Sequence, residues 1–242
     1  MLIIRQQLQF RSILFVLNML LYFTNEQVPQ AGNGDFSTTF SGMWRNSGQA
    51  LKRLLSPIKT KDTITIGTTV TGQGAAFTNT LDRQYVTPGL LGPQLITGQI
   101  SGQLMVREYA VSDNMDRVIL CGKVVSNNGK IIRGFILNSG NYGPTLEFVN
   151  STTHRNKTIA SGQNLTAITG EDGDRLVFEI GYTTSVGGTT PDASAKWGAA
   201  APLLPVNETQ TTDGAGWIAI TSNLKFRETE VVSIDSADGL YN

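Results

Sequence analysis

The chain has 242 residues but only one cysteine and one histidine. A single cysteine excludes an intrachain disulfide. One histidine with one cysteine excludes a zinc site of the usual nitrogen and sulfur ligands within one chain. Charge is also scarce, at 16% of residues, against about 25% in an average soluble protein. The two signs cancel, with 19 basic and 19 acidic residues. No net field draws such a protein to nucleic acid or an anionic membrane, and near-neutrality favours association with other subunits. There is one strongly apolar run, Ile13 to Phe23. It is about half the ~20 residues a spanning helix needs, so stable membrane insertion is not expected. There is no G-x-S-x-G elbow, no phosphate-binding loop and no G-x-G-x-x-G opening a helix.

What is present is β-texture. The 26 glycines, with many Thr, Ser and Asn, read as short strands joined by tight turns. Asp62 to Ile66 alternates with period two, and Gly98 to Ala110 is a long strand whose Gly102 marks a bulge or a close backbone approach. Val118–Ser126 and Lys130–Leu137 flank Asn127-Asn128-Gly129. Asn128-Gly129 is the strongest hairpin signal in the chain, so these two runs are expected to pair. Glu171-Asp172-Gly173-Asp174 launches Arg175–Thr184, with Leu176, Phe178, Ile180 and Tyr182 on one face. Trp217–Phe226 is a closing strand, and Ser185–Gln210 reads as a long surface loop. Strands of about nine residues between turn clusters predict an all-β fold: an antiparallel β-sandwich of jelly-roll type.

The spacing of Ala50, Leu51, Leu54 and Leu55 predicts one short helix over Ser47–Ser56, ended by Pro57. Residues 1–34 form an apolar extension with three readings: a secretory signal, a false start upstream of Met43, or an anchoring helix. The expected organisation is this extension, a linker with the short helix over 35–61, the sandwich over 62–226 and a polar tail over 227–242.

Four stretches then occur in order: Leu81-Asp82-Arg83-Gln84-Tyr85-Val86, Ile100-Ser101-Gly102-Gln103-Leu104, Gly173 to Tyr182 (GDRLVFEIGY), and Thr211-Thr212-Asp213 before Trp217-Ile218. Over roughly Trp44–Phe226 the chain resembles the β-rich structural proteins of tailed bacteriophages. The resemblance implies a virion component with a jelly-roll-like domain and supplies no catalytic residues.

The residues that bear chemistry do not assemble into a reaction. His154 lies in a polar, loop-like stretch and reads as exposed. The carboxylates available to a glycosidase pair are Glu108, Glu147, Asp172, Asp174, Glu179 and Asp213, and Glu179 reads as a solvated residue on an outer face. Asp172, Asp174 and Asp213 are loop oxygens of the kind that hold calcium, although Asp also favours turns without any ion. Cys121 in Val118-Ile119-Leu120-Cys121 reads as a buried small hydrophobe. Four acceptor patterns for N-glycosylation begin at Asn150, Asn156, Asn164 and Asn207. Trp217 reads as core. Trp197, beside Lys196 in the long loop, is the candidate for contact with a neighbouring subunit or a glycan.

The expectation is therefore a non-enzymatic virion structural protein without metal or cofactor, in capsid decoration, a head–tail junction, a tail or a fibre. Its partners would be copies of itself and other virion proteins, and its location the extracellular particle. The alternative is a carbohydrate-binding or adhesive module on a tail or cell surface, with surface glycan as partner.

Overall fold

The computed structural model describes residues 18–28, 40–45, 51–67, 69–71, 78–109, 115–144, 153–184 and 192–227. Among them are fourteen strands and no helix. The first seven are β1 (Met19–Phe23), β2 (Leu51–Ser56), β3 (Thr65–Ile66), β4 (Val70–Thr71), β5 (Asn79–Val86), β6 (Gln94–Ile96) and β7 (Gln99–Glu108). The rest are β8 (Met115–Val125), β9 (Ile132–Gly140), β10 (Arg155–Asn164), β11 (Ile168–Gly170), β12 (Arg175–Thr184), β13 (Asp192–Trp197) and β14 (Trp217–Ile220).

The main hydrogen-bonded order is β3-β13-β7-β14-β1-β2-β5-β12-β8-β9, with β10 on β7 and β4 on β13; β6 and β11 form a separate ribbon. The order passes from one layer to the other where Tyr22 pairs with Ser56 and Phe23 with Leu55. One core cluster joins the layers: Ile100 and Leu104 of β7 and Ile159 of β10 belong with Leu120 of β8 and Phe178, Ile180 and Tyr182 of β12. The fold is an all-β sandwich, as the turn spacing predicts. Its pairings are antiparallel except that of β2 with β5.

The β8–β9 hairpin forms as expected, with Val125 opposite Ile132 and Lys123 opposite Phe135. The turn closes one residue earlier than a turn centred on Asn128-Gly129. The Gly129 amide donates to the Ser126 carbonyl (2.7 Å), so Asn127 and Asn128 are central and Gly129 follows with φ +70°. Gly102 is a close approach: a Cβ there would lie 3.0 Å from both Ile159 Cγ1 and the Trp217 carbonyl. The partner strand β10 shifts register opposite it.

Three expectations are corrected. Residues 51–56 are not helical: β2 lies between β1 and β5, with Leu55 in the main core and Leu54 buried beside Val86. A strand buried on both faces carries adjacent leucines, which imitate one face of a helix. Residues 46–50 lie outside the described part. Second, the end of the apolar run is structural. β1 sits between β14 and β2, Leu21 and Phe23 are fully buried, and Leu20 packs against Met105, Leu204 and Trp217. Each full burial contributes roughly 1.5–3 kcal/mol. The sandwich therefore draws on strands before Asp62; residues 1–17 and 29–39 lie outside the described part. Third, Ser185–Gln210 is not one loop. β13 pairs with β3, β4 and β7, and Ala193, Ala195 and Trp197 point into the core. Of the polar tail, Arg227 alone is described, its amide donating to the Gly89 carbonyl.

Candidate functional site

Strand β12 is buried on both faces, and this overturns the reading of Glu179 as solvated. Leu176, Phe178, Ile180 and Tyr182 fill the inner core, while Val177 and Glu179 are equally inaccessible on the outer side. Glu179 faces Lys123 of β8 at 2.5 Å, and both side chains are sealed from water. Its carboxylate also accepts from Gln84 Nε2 of β5 (3.0 Å), Trp44 Nε1 (2.6 Å) and the Ser41 amide (3.0 and 3.1 Å). Ser41 and Trp44 belong to residues 40–45, which lie across this face with Trp44 packed on Leu81 and Ile119. One carboxylate thus ties three adjacent strands to an overlying strap. Cys121, on the same face of β8, is buried as expected; burial, with Glu179 adding to it, pushes its thiol up to about 12. Lys123 and Glu179 are themselves sealed from water, and the chemistry of the pair is that of a clasp.

Trp197 does not reach another molecule. It is fully buried, edge-on to Phe23 (centroids 5.6 Å apart) and tilted against Tyr85 (5.3 Å), with the Arg83 guanidinium 4.8 Å from its ring centroid. Its backbone carbonyl accepts from Asn25 Nδ2. The sugar-stacking and subunit-anchoring roles are both corrected by this burial. Lys196, on the opposite side of β13, pairs with Asp213. Trp217 is core as expected, its indole donating to the Leu204 carbonyl.

His154 is likewise buried, not exposed, with Nε2 3.1 Å from Ser194 Oγ. A serine beside a histidine suggests an activated nucleophile, but Ser194 is fully buried and its hydroxyl also accepts from Arg107 Nε. Burial, aided by Arg107 and Lys196 and opposed by Asp213, holds the imidazole down at about 4. Asp82 of β5 is shifted the other way. Burial lifts it to about 6, against the hydrogen bond from Tyr182 and the charge of Arg83.

These shifts give opposite contributions in one pH window. The folded His154 pKa is depressed, so its contribution is intact above the unfolded value of 6.5 and is lost as pH falls toward 4. The folded Asp82 pKa is raised, so its contribution is intact below 3.8 and is lost as pH rises toward 6. Each is worth on the order of 3 kcal/mol. Between pH 7 and pH 4, wild type should lose stability relative to His154→Asn and gain it relative to Asp82→Asn. Urea melts of the three proteins across that range check both signs.

A different geometry lies at one end of the sandwich. There the β8–β9 turn and the 171–174 turn enclose a cleft of about 320 Å³, lined by Ser126, Asn127, Asn128, Ile131, Arg133, Asp172 and Asp174. The proposed calcium carboxylates are divided among separate cationic partners. Asp174 accepts from Arg133 Nε (3.0 Å) and Asp172 from Arg227 Nη2 (2.5 Å), while Asp213 is with Lys196. No group of three metal-binding side chains converges among the described residues. Glu108 is buried on β7, and Glu147 lies outside the described residues. Of the glycosylation patterns, Asn156 is buried, Asn164 is exposed, Asn207 is half-buried and Asn150 lies outside the described residues. Sequence reasoning missed the clasp, although one charged residue within each of two apolar strands was its signal. It also missed the cleft.

No family model and no curated protein matches the chain. Among solved structures, a CocE/NonD family hydrolase from Staphylococcus aureus is similar at 9% identity with a TM-score of 0.34. The similarity covers 84% of this chain and 36% of that one, so the chain spans about a third of that hydrolase, and at this level neither fold nor reaction carries over.

Proposed function

We propose that this protein is a structural subunit of a tailed-bacteriophage particle, working through contacts with copies of itself and with other virion proteins. The observation that carries the reading is the flank of β9. This strand ends the main sheet order among the described residues, and Ile132 and Phe135 there are 40% and 37% exposed. By register, Ile132 and Phe135 share the outer face of Val125 and Lys123. A terminal strand with exposed apolar side chains is a template for association unless a partner covers it. Zero net charge adds no repulsion between copies. The buried ionisable groups Lys123, Glu179, Asp82 and His154 are engaged with neighbouring side chains, which favours a scaffold over a catalyst.

Sedimentation of the full chain, alone and mixed with the other particle proteins, tests this. Association is expected, weakened roughly tenfold or more in an Ile132→Lys/Phe135→Ser variant that melts normally. A strict monomer at high concentration that also ignores the other particle proteins would overturn the proposal.

A further inference from the structure

We infer that the cleft between the β8–β9 turn and the 171–174 turn binds a neutral saccharide. This goes beyond the assembly reading and does not depend on it. The argument starts from two side-chain amides whose orientation is fixed. Asn127 Oδ1 accepts from Arg175 Nε (3.1 Å), and Asn128 Oδ1 accepts from Ser126 Oγ (2.8 Å) and the Lys130 amide (3.1 Å). The oxygens face these donors, so on these two exposed residues, which line the cleft, neither NH₂ group has a protein partner among the described residues. Opposite stand acceptors. Asp172 Oδ1 takes the Gly92 amide and Oδ2 takes Arg227, and the side chain remains half exposed. Asp174 is held by Arg133 and the Glu171 amide.

A sugar hydroxyl donates one hydrogen bond and accepts others. A cleft lined by both amide donors and carboxylates with spare lone pairs can satisfy both capacities at once. Ile131, at the rim and 56% exposed, supplies an apolar surface for the C–H face of a pyranose. The volume is at the low end of ligand sites and suits a single sugar unit or a chain end. Charge selects among saccharides. Glu171, Asp172 and Asp174 are balanced by Arg133, Arg175 and Arg227, so neither an anionic nor a cationic sugar gains net attraction. The walls are fixed before any ligand arrives. Gly173, at φ +82°, donates its amide to the Leu90 carbonyl, and the Asp174 amide donates to the Glu171 carbonyl (3.1 Å). Little ordering then opposes binding.

The full chain should be examined by saturation-transfer NMR with glucose, galactose, mannose and N-acetylglucosamine, using sialic acid and glucose 6-phosphate as charged comparisons. At least one neutral sugar is expected to receive transfer in preference to both charged ones. An Asn127→Asp/Asn128→Asp variant keeps the oxygens that serve Arg175, Ser126 and Lys130 but removes both free donors. It should bind roughly tenfold more weakly or worse. Asp172→Asn, at a half-exposed position, should also weaken binding and serves if the double variant does not fold. The inference falls if wild type binds none of the neutral sugars, if the charged sugars bind as well, or if the folded variants bind like wild type.

Discussion

Lys123→Met is expected to destabilise the protein by about 3–5 kcal/mol, because it strands the Glu179 carboxylate in a site inaccessible to bulk solvent. The remaining donors, Gln84, Trp44 and the Ser41 amide, are dipoles that solvate the charge without neutralising it. Glu179→Leu should cost a similar amount, since it leaves the ammonium buried and removes the acceptor for all three groups. The combined Lys123→Met/Glu179→Gln variant should recover a large part of the loss. With no buried charge left, the residual cost is that of imperfect hydrogen bonds. Urea unfolding of the singles and the double gives the coupling between the two sites. Additive losses would show that the two groups act independently. A second readout belongs to the strap. Among the described residues the Ser41 amide donates only to this carboxylate, so Glu179→Leu should raise hydrogen exchange at Ser41 well above the increase at the distant β7–β10 ladder.

The same residues show where a sequence stops being informative. The β8–β9 hairpin, β12 and the long β7 were legible because their patterns are local. Asn-Gly chemistry marks a turn, and alternation marks a half-buried strand. Glu179 was misread because alternation assumes that one face meets water, whereas here the outer face carries residues 40–45, more than 130 positions away. The adjacent leucines of β2 failed because both are buried, on opposite faces of the strand, and such strands lose their period. In β1 only Leu21 and Phe23 are fully buried, and Met19, Leu20 and Tyr22 on and beside the other face are apolar but half-buried, so the run shows no alternation. β13 was hidden by composition. Its inward residues are Ala193, Ala195 and Trp197, and alanine is a weak strand former that turns into core only when a close partner sheet accepts it. Asn127 and Asn128 were legible as turn residues. The orientation of the Asn127 amide was not, because it depends on Arg175, 48 positions away, whereas that of Asn128 rests on Ser126 and Lys130 within the turn.

Glycine explains how large and small residues share these layers. A Cβ at Gly67 would lie 2.6 Å from Trp197 Nε1, and one at Gly181 would lie 2.6 Å from Trp44 Cζ3. Each buried indole therefore rests on bare backbone. The two tryptophans occupy opposite sides of the layer that contains β5 and β12: Trp197 in the main core, Trp44 as part of the strap, packed on Leu81 and Ile119.

Trp197→Ala should consequently unfold or nearly unfold the domain, with a loss of about 3–5 kcal/mol. The indole is fully buried between Phe23, Tyr85 and Arg83, so its removal opens a cavity bounded by two aromatic rings and a guanidinium. Those neighbours sit on β1 and β5, in the two layers that β1 and β2 join, and cannot collapse into the space without moving the sheets. Trp197→Phe should cost much less. The indole N–H has no hydrogen-bond partner among the described residues, so a phenyl ring forfeits volume but no bond seen there. Had Trp197 been a surface anchor, either substitution would change stability by no more than about 0.5 kcal/mol and would act on binding instead. The ordering Ala far below Phe below wild type in thermal melting is the signature of a core residue. Equal melting of all three would mean that β13 is not seated between β3 and β7, and the burial of Trp197 would have to be abandoned with it.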